Sequence, residues 1–89
     1  MSDSISLVLV IRQGCHLCVP AIESAKHIAA VFQNEHPKVD VHVRIQDIAD
    51  QVDFQRFSEE VPVLLVNDKQ VSFWRIDEDR VLEHLRALV

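Results

Sequence analysis

Cys15-His16-Leu17-Cys18 is the most reactive tetrapeptide in the chain. Two thiols separated by two residues can share one reaction. The first sulfur, as thiolate, attacks a partner disulfide. The second attacks the resulting mixed disulfide and closes a small ring. A helix N-terminus favours this chemistry, because its free backbone N–H groups and positive macrodipole end stabilise a thiolate. Cys15 lies nearer the preceding loop and reads as the nucleophile; Cys18, one turn further on, reads as the resolving thiol. The alternatives are a structural pair or a zinc site. Zinc takes four ligands, the pair supplies two, and no second Cys-x-x-Cys exists. In a reducing compartment such a pair is catalytic or metal-binding more often than structural. No metal is expected here.

Neighbouring residues suggest supporting roles. His16, if protonated, favours a thiolate at Cys15 by charge proximity; neutral and pointing outward, it does little. Gly14 is the only glycine in the chain. It either permits an unusual backbone angle and close approach of a substrate, or simply ends a strand.

The elements that must hold this pair are legible around it. Residues 5–11 are apolar on both parities, which suits a strand buried on both faces. Gln13-Gly14 breaks it. Leu17, Ala21, Ala25, Ile28, Ala29 and Phe32 then form one helical stripe. Pro20 is tolerated only in a first turn, so the helix is predicted to begin near Leu17. It stops before His36-Pro37. Val39, Val41, Val43 and Ile45 alternate with polar residues, predicting a strand with one buried face, at a sheet edge. Asp50 is a candidate N-cap for a short helix over 51–59 that buries Phe54 and Phe57. Residues 63–74 read as a β-hairpin turning at Asn67-Asp68-Lys69. Asp77 caps a last helix with Val81, Leu82, Leu85 and Leu88 inward. Trp74, beside Phe73, either lines the site as an apolar wall or belongs to a pair split across a strand.

The order is therefore βαβαββα, an α/β fold. A strand–helix–strand start favours a parallel pair with a right-handed crossover, and the hairpin adds an antiparallel strand. The expected product is a four-stranded mixed sheet flanked by three helices, all in one domain over residues 1–89.

Composition limits the function classes. The 89 residues are 48% hydrophobic and 26% charged, with one Gly and three Pro, so the chain is neither disordered nor low-complexity. Lys+Arg number 9 against 14 Asp+Glu, a formal net charge of −5. That balance, without a basic cluster, argues against nucleic acid and anionic membranes as partners. The apolar run 5–11 is too short for a signal sequence or a membrane span. A cytoplasmic monomer is expected.

The pattern also resembles a known family. Cys15-x-x-Cys18 after the first strand and Val61-Pro62 before the third look like glutaredoxins and their thioredoxin-fold relatives. Gly14 to Cys18, Val61 to Val66 and Phe73-Trp74 are similar to a small bacterial glutaredoxin-like family. The resemblance spans nearly the whole chain. It implies a thioredoxin-like, glutaredoxin-type fold with a cis Val61–Pro62 bond beside the cysteines, Pro62 shaping the groove. Val61 would offer its backbone N–H and C=O to an extended peptide or to glutathione. Arg12 would hold a substrate carboxylate bidentately, unless it is only a solvated charge at a strand end. The chain departs from glutaredoxins in His16-Leu17 between the cysteines and in lacking a Gly-Gly turn after the hairpin; Asp77 would replace the acid found there. The implied activity is thiol–disulfide oxidoreduction and electron transport, acting on protein or glutathione disulfides. No resident cofactor is needed, and glutathione or a reductase would donate electrons. A non-catalytic peptide- or protein-binding module and a metal- or cluster-binding domain are the alternatives.

Overall fold

The apolar strands and the helical stripe assemble as two layers over a central sheet. The structure, a computed structural model, describes residues 4–50 and 52–89. In chain order the elements are β1 (Ser4–Ile11), α1 (Cys18–Glu35), β2 (Asp40–Asp47), β3 (Val63–Val66), β4 (Lys69–Phe73) and α2 (Glu78–Arg86). The sheet order is β2-β1-β3-β4. β1 and β2 are parallel, with Ser4 opposite Asp40 and Ile11 opposite Asp47. β3 is antiparallel to both β1 and β4.

This order explains the sequence patterns. β1 and β3 are central strands covered on both faces, so they tolerate no polar alternation. β2 is an edge strand with one face toward the helices, hence its alternation. On one face Ile5, Leu7, Leu9, Leu64 and Val66 pack against Ala21, Ala25, Ile28 and Phe32 of α1 and against Val81, Leu82 and Leu85 of α2. On the other, Val8, Val10, Val63 and Leu65 pack against Ile48, Phe57 and Val61. The Glu35 carboxylate accepts two hydrogen bonds from the Arg86 guanidinium, at 2.9 and 2.6 Å, tying the end of α1 to the end of α2. His27 pairs with Glu78 nearer the other end of α2.

Five expectations need correction. Among the described residues the fold has two α-helices rather than three. Where a helix was expected over 51–59, the chain forms two 3₁₀ segments, Ile48–Asp50 and Val52–Phe57. Local side-chain bonds favour tight turns over an α-helix here. Asp50 caps no helix: its carboxylate accepts the Asp47 N–H at 3.0 Å, and Asp47 Oδ1 accepts the Ala49 N–H at 2.9 Å. Leu17 is the N-cap residue of α1 and lies 42% exposed, outside the buried stripe. Leu88 falls beyond the end of α2 and is exposed. Trp74 lies outside β4, which ends at Phe73. The hairpin turn itself uses Asn67 and Asp68, both at positive φ, the geometry a two-residue connection needs to match strand twist. No helix among the described residues is long and apolar enough to cross a membrane.

Candidate active site

β1 delivers its C-terminal end to a loop, and the loop delivers the cysteines to the start of α1. Gly14 makes the turn at φ +79°. A Cβ there would meet nothing within 4 Å, so backbone conformation, and not crowding, calls for glycine. The Cys15 N–H donates to the Arg12 carbonyl at 3.3 Å, and the Cys18 N–H donates to the Cys15 carbonyl at 3.3 Å. These two bonds coil residues 12–18 so that Cys18 opens the first turn of α1.

The two thiols differ in environment. Both are unbridged; Cys15 is half-buried and Cys18 buried, at 4% exposure. Cys15 borders an open groove of about 1100 Å³. Burial, and then the hydrogen bond shared with Cys15, push the Cys18 thiol up from 9.0 to about 11. A backbone hydrogen bond with Arg12 pulls the other way without reversing the shift. Cys18 is thus held as a protonated thiol beside the more open sulfur of Cys15. No third His, Cys, Asp or Glu joins them in a potential metal cluster among the described residues.

The opposite wall comes from the approach to β3. The Val61–Pro62 peptide bond is cis, Pro62 is fully buried, and Cys15 packs against the core cluster that contains Val61. Val61 was expected to present two backbone groups to a substrate. Its N–H instead donates to the Phe57 carbonyl at 3.0 Å, which removes one of those two groups. The 3₁₀ segment ending at Phe57 is the reason. It carries the Phe57 carbonyl back beneath Val61 before the chain enters β3.

Two side chains from elsewhere fasten this wall. Arg12 donates from one guanidinium nitrogen to the Ser58 carbonyl at 2.8 Å, so part of its fork is engaged within the protein. Trp74 fastens the other side. Its backbone N–H is shared between the carbonyls of Pro62 at 2.9 Å and Glu60 at 3.2 Å, and its indole N–H donates to the Glu59 carbonyl at 3.0 Å. These bonds hold Trp74 at φ 63°, a left-handed conformation that costs a bulky residue about 1–2 kcal/mol. The Ser72 hydroxyl donates to the Arg75 carbonyl at 3.1 Å and closes the same turn. Phe73 and Trp74 meet edge to face at a centroid distance of 5.1 Å, and both remain about half exposed.

The groove brings together Arg12, Gly14, Cys15, His16, Val61, Trp74 and Asp77. Cys18 and Pro62 stand behind its surface. His16 is exposed and makes no hydrogen bond among the described residues. Asp77 caps α2, accepting the Arg80 N–H at 3.2 Å. Reasoning from sequence missed Glu60, Arg75 and Arg80, which also line the groove. No spacing relates them to the cysteines. Only the return of the chain after β4 puts the two arginines here.

A search of curated proteins finds no match. Among solved structures, a Staphylococcus aureus protein of unknown function, SA0789, superposes with a TM-score of 0.72 at 14% identity, covering 94% of this chain and 90% of that one. Human ERp44 matches with a TM-score of 0.65 at 18% identity, over 97% of this chain and 25% of ERp44. Fasciola hepatica thioredoxin matches with a TM-score of 0.56 at 16% identity, over 99% and 84%. At these identities the likeness establishes a thioredoxin-like fold. The family model described as Glutaredoxin-like domain (DUF836) matches residues 6–86, and the chain belongs to that family.

Proposed function

We propose that the protein is a dithiol thiol–disulfide oxidoreductase. The observation that carries this reading is the unequal pair: Cys15 bordering an open groove, Cys18 buried behind it with its thiol raised to about 11. Cys15, as thiolate, attacks one sulfur of a substrate disulfide. A Cys15–substrate disulfide forms and the other substrate sulfur leaves as a thiolate. Cys18 then loses its proton to water and attacks the Cys15 sulfur. The intramolecular disulfide forms, and the remaining substrate sulfur departs. Two electrons pass from the protein dithiol to the substrate, and a thiol donor such as glutathione, or a reductase, returns them.

The buried state of Cys18 has a use in this sequence. A resolving thiol that stays protonated does not compete with Cys15 for incoming disulfides. It reacts once the mixed disulfide holds a sulfur beside it, where proximity replaces concentration. The wall fastened by Arg12 and Trp74 keeps the groove open to an extended substrate. No resident metal or organic cofactor takes part.

The test is reduction of bis(2-hydroxyethyl) disulfide with dithiothreitol as terminal reductant. Cys15→Ser is expected to abolish the rate above that of dithiothreitol alone, and Cys18→Ser, mixed with the disulfide without dithiothreitol, to accumulate a mixed disulfide visible by mass. Full turnover by Cys15→Ser would overturn the assignment.

A further inference from the structure

The groove beside Cys15 carries a charge opposite to that of the chain. Among the described residues it is lined by three of the nine basic residues, Arg12, Arg75 and Arg80, but by only two of the fourteen acidic ones, Glu60 and Asp77. Neither Arg75 nor Arg80 has a carboxylate within 4.0 Å among the described residues, the two ion pairs being His27–Glu78 and Arg86–Glu35. The Asp77 side chain is engaged in capping α2. Two arginines therefore line the groove without a carboxylate partner among the described residues.

The same groove exposes apolar surface from two elements. Leu17 at the head of α1 is 42% exposed, and Phe73 and Trp74 after the hairpin are 45% and 54% exposed. We infer that the groove selects a protein disulfide whose reactive cysteine lies in an extended segment with an acidic side chain for Arg75 and Arg80 and an apolar side chain for Leu17, Phe73 and Trp74. This deepens the oxidoreductase reading and rests on it. The chemistry is the same exchange, with Cys15 forming the mixed disulfide and Cys18 releasing the segment as a thiol. Glutathione shares the carboxylates but brings no apolar side chain.

The test uses three disulfides with dithiothreitol as reductant: a cysteine peptide flanked by aspartate and leucine, its lysine–leucine counterpart, and oxidised glutathione. Bis(2-hydroxyethyl) disulfide serves as a neutral reference. kcat/KM for the aspartate peptide is expected to exceed that for the lysine peptide by about tenfold, as two surface charges change from attraction to repulsion. The ratio should fall toward one as salt rises from roughly 0.01 M to 1 M and the screening length shrinks. Oxidised glutathione should be the slower of the two anionic substrates. Arg75→Glu with Arg80→Glu should invert the peptide preference, a gain that an unfolded variant cannot produce. Should that variant fail to fold, the wild-type ratio and its salt dependence decide alone. A wild-type ratio near one, a preference unchanged by charge reversal, or oxidised glutathione outrunning the aspartate peptide would each overturn the inference. Failure to accelerate reduction of any of the four disulfides above the rate of dithiothreitol alone would overturn the oxidoreductase reading instead.

Discussion

The sharpest consequence of the buried Cys18 concerns the speed of ring closure as pH changes. In the dithiol its thiol stands at about 11, raised first by burial and then by the hydrogen bond shared with Cys15. In a mixed disulfide Cys15 no longer carries charge, so that part of the shift disappears while burial remains. The resolving thiol should then ionise between its ordinary 9.0 and about 11. At pH 7 that corresponds to a thiolate fraction between roughly 1 in 100 and 1 in 10,000. A less acidic thiol is a better nucleophile when ionised, which recovers about tenfold of a two-unit loss. The observable is the slope: closure should accelerate about tenfold per pH unit from pH 6 to at least pH 8.5, without a plateau. The assay forms the Cys15 mixed disulfide with a peptide under acid, jumps the pH, quenches with acid, and follows peptide release by mass. A closure rate that levels off below pH 8 would refute the reasoning, since it would require a Cys18 thiol more acidic than an ordinary one.

Three further outcomes follow from particular contacts. Trp74→Phe keeps an aromatic wall but removes the indole bond to the Glu59 carbonyl, and should cost about 1 kcal/mol in urea unfolding; no change would mean that bond contributes nothing to the wall. Asp77→Ala removes the cap of α2 and should likewise cost about 1 kcal/mol, with reduced helical signal. Glu35 is held below its usual 4.5 chiefly by its hydrogen bonds to Arg86, so its contribution to stability is complete above that value and is lost as pH falls through the lowered one. Arg86→Gln should therefore narrow the difference between urea midpoints at pH 7 and pH 3, and an unchanged difference would remove the pair from the pH dependence.

The sequence by itself determined most of the frame. Continuous apolar runs place β1 and the first strand of the hairpin, period-two alternation places β2, and period-3.6 stripes place α1 and α2, because central strands are covered on both faces and the edge strand and helices on one. The Cys15-x-x-Cys18 pair at the junction of a strand and a helix was legible from residue type and spacing alone. Two things were decided only in three dimensions. The stretch from Ile48 to Phe57 carries helix-like composition, yet short side-chain bonds from Asp47 and Asp50 turn it into 3₁₀ segments that engage the Val61 N–H. No hydrophobic period records such local competition. The second is the content of the groove. Trp74, Arg75 and Arg80 lie about sixty residues from the cysteines and meet them only because β4 and α2 return to the same edge of the fold. Contacts that long in sequence leave no periodic trace, so the electrostatics around Cys15 belong to the tertiary structure.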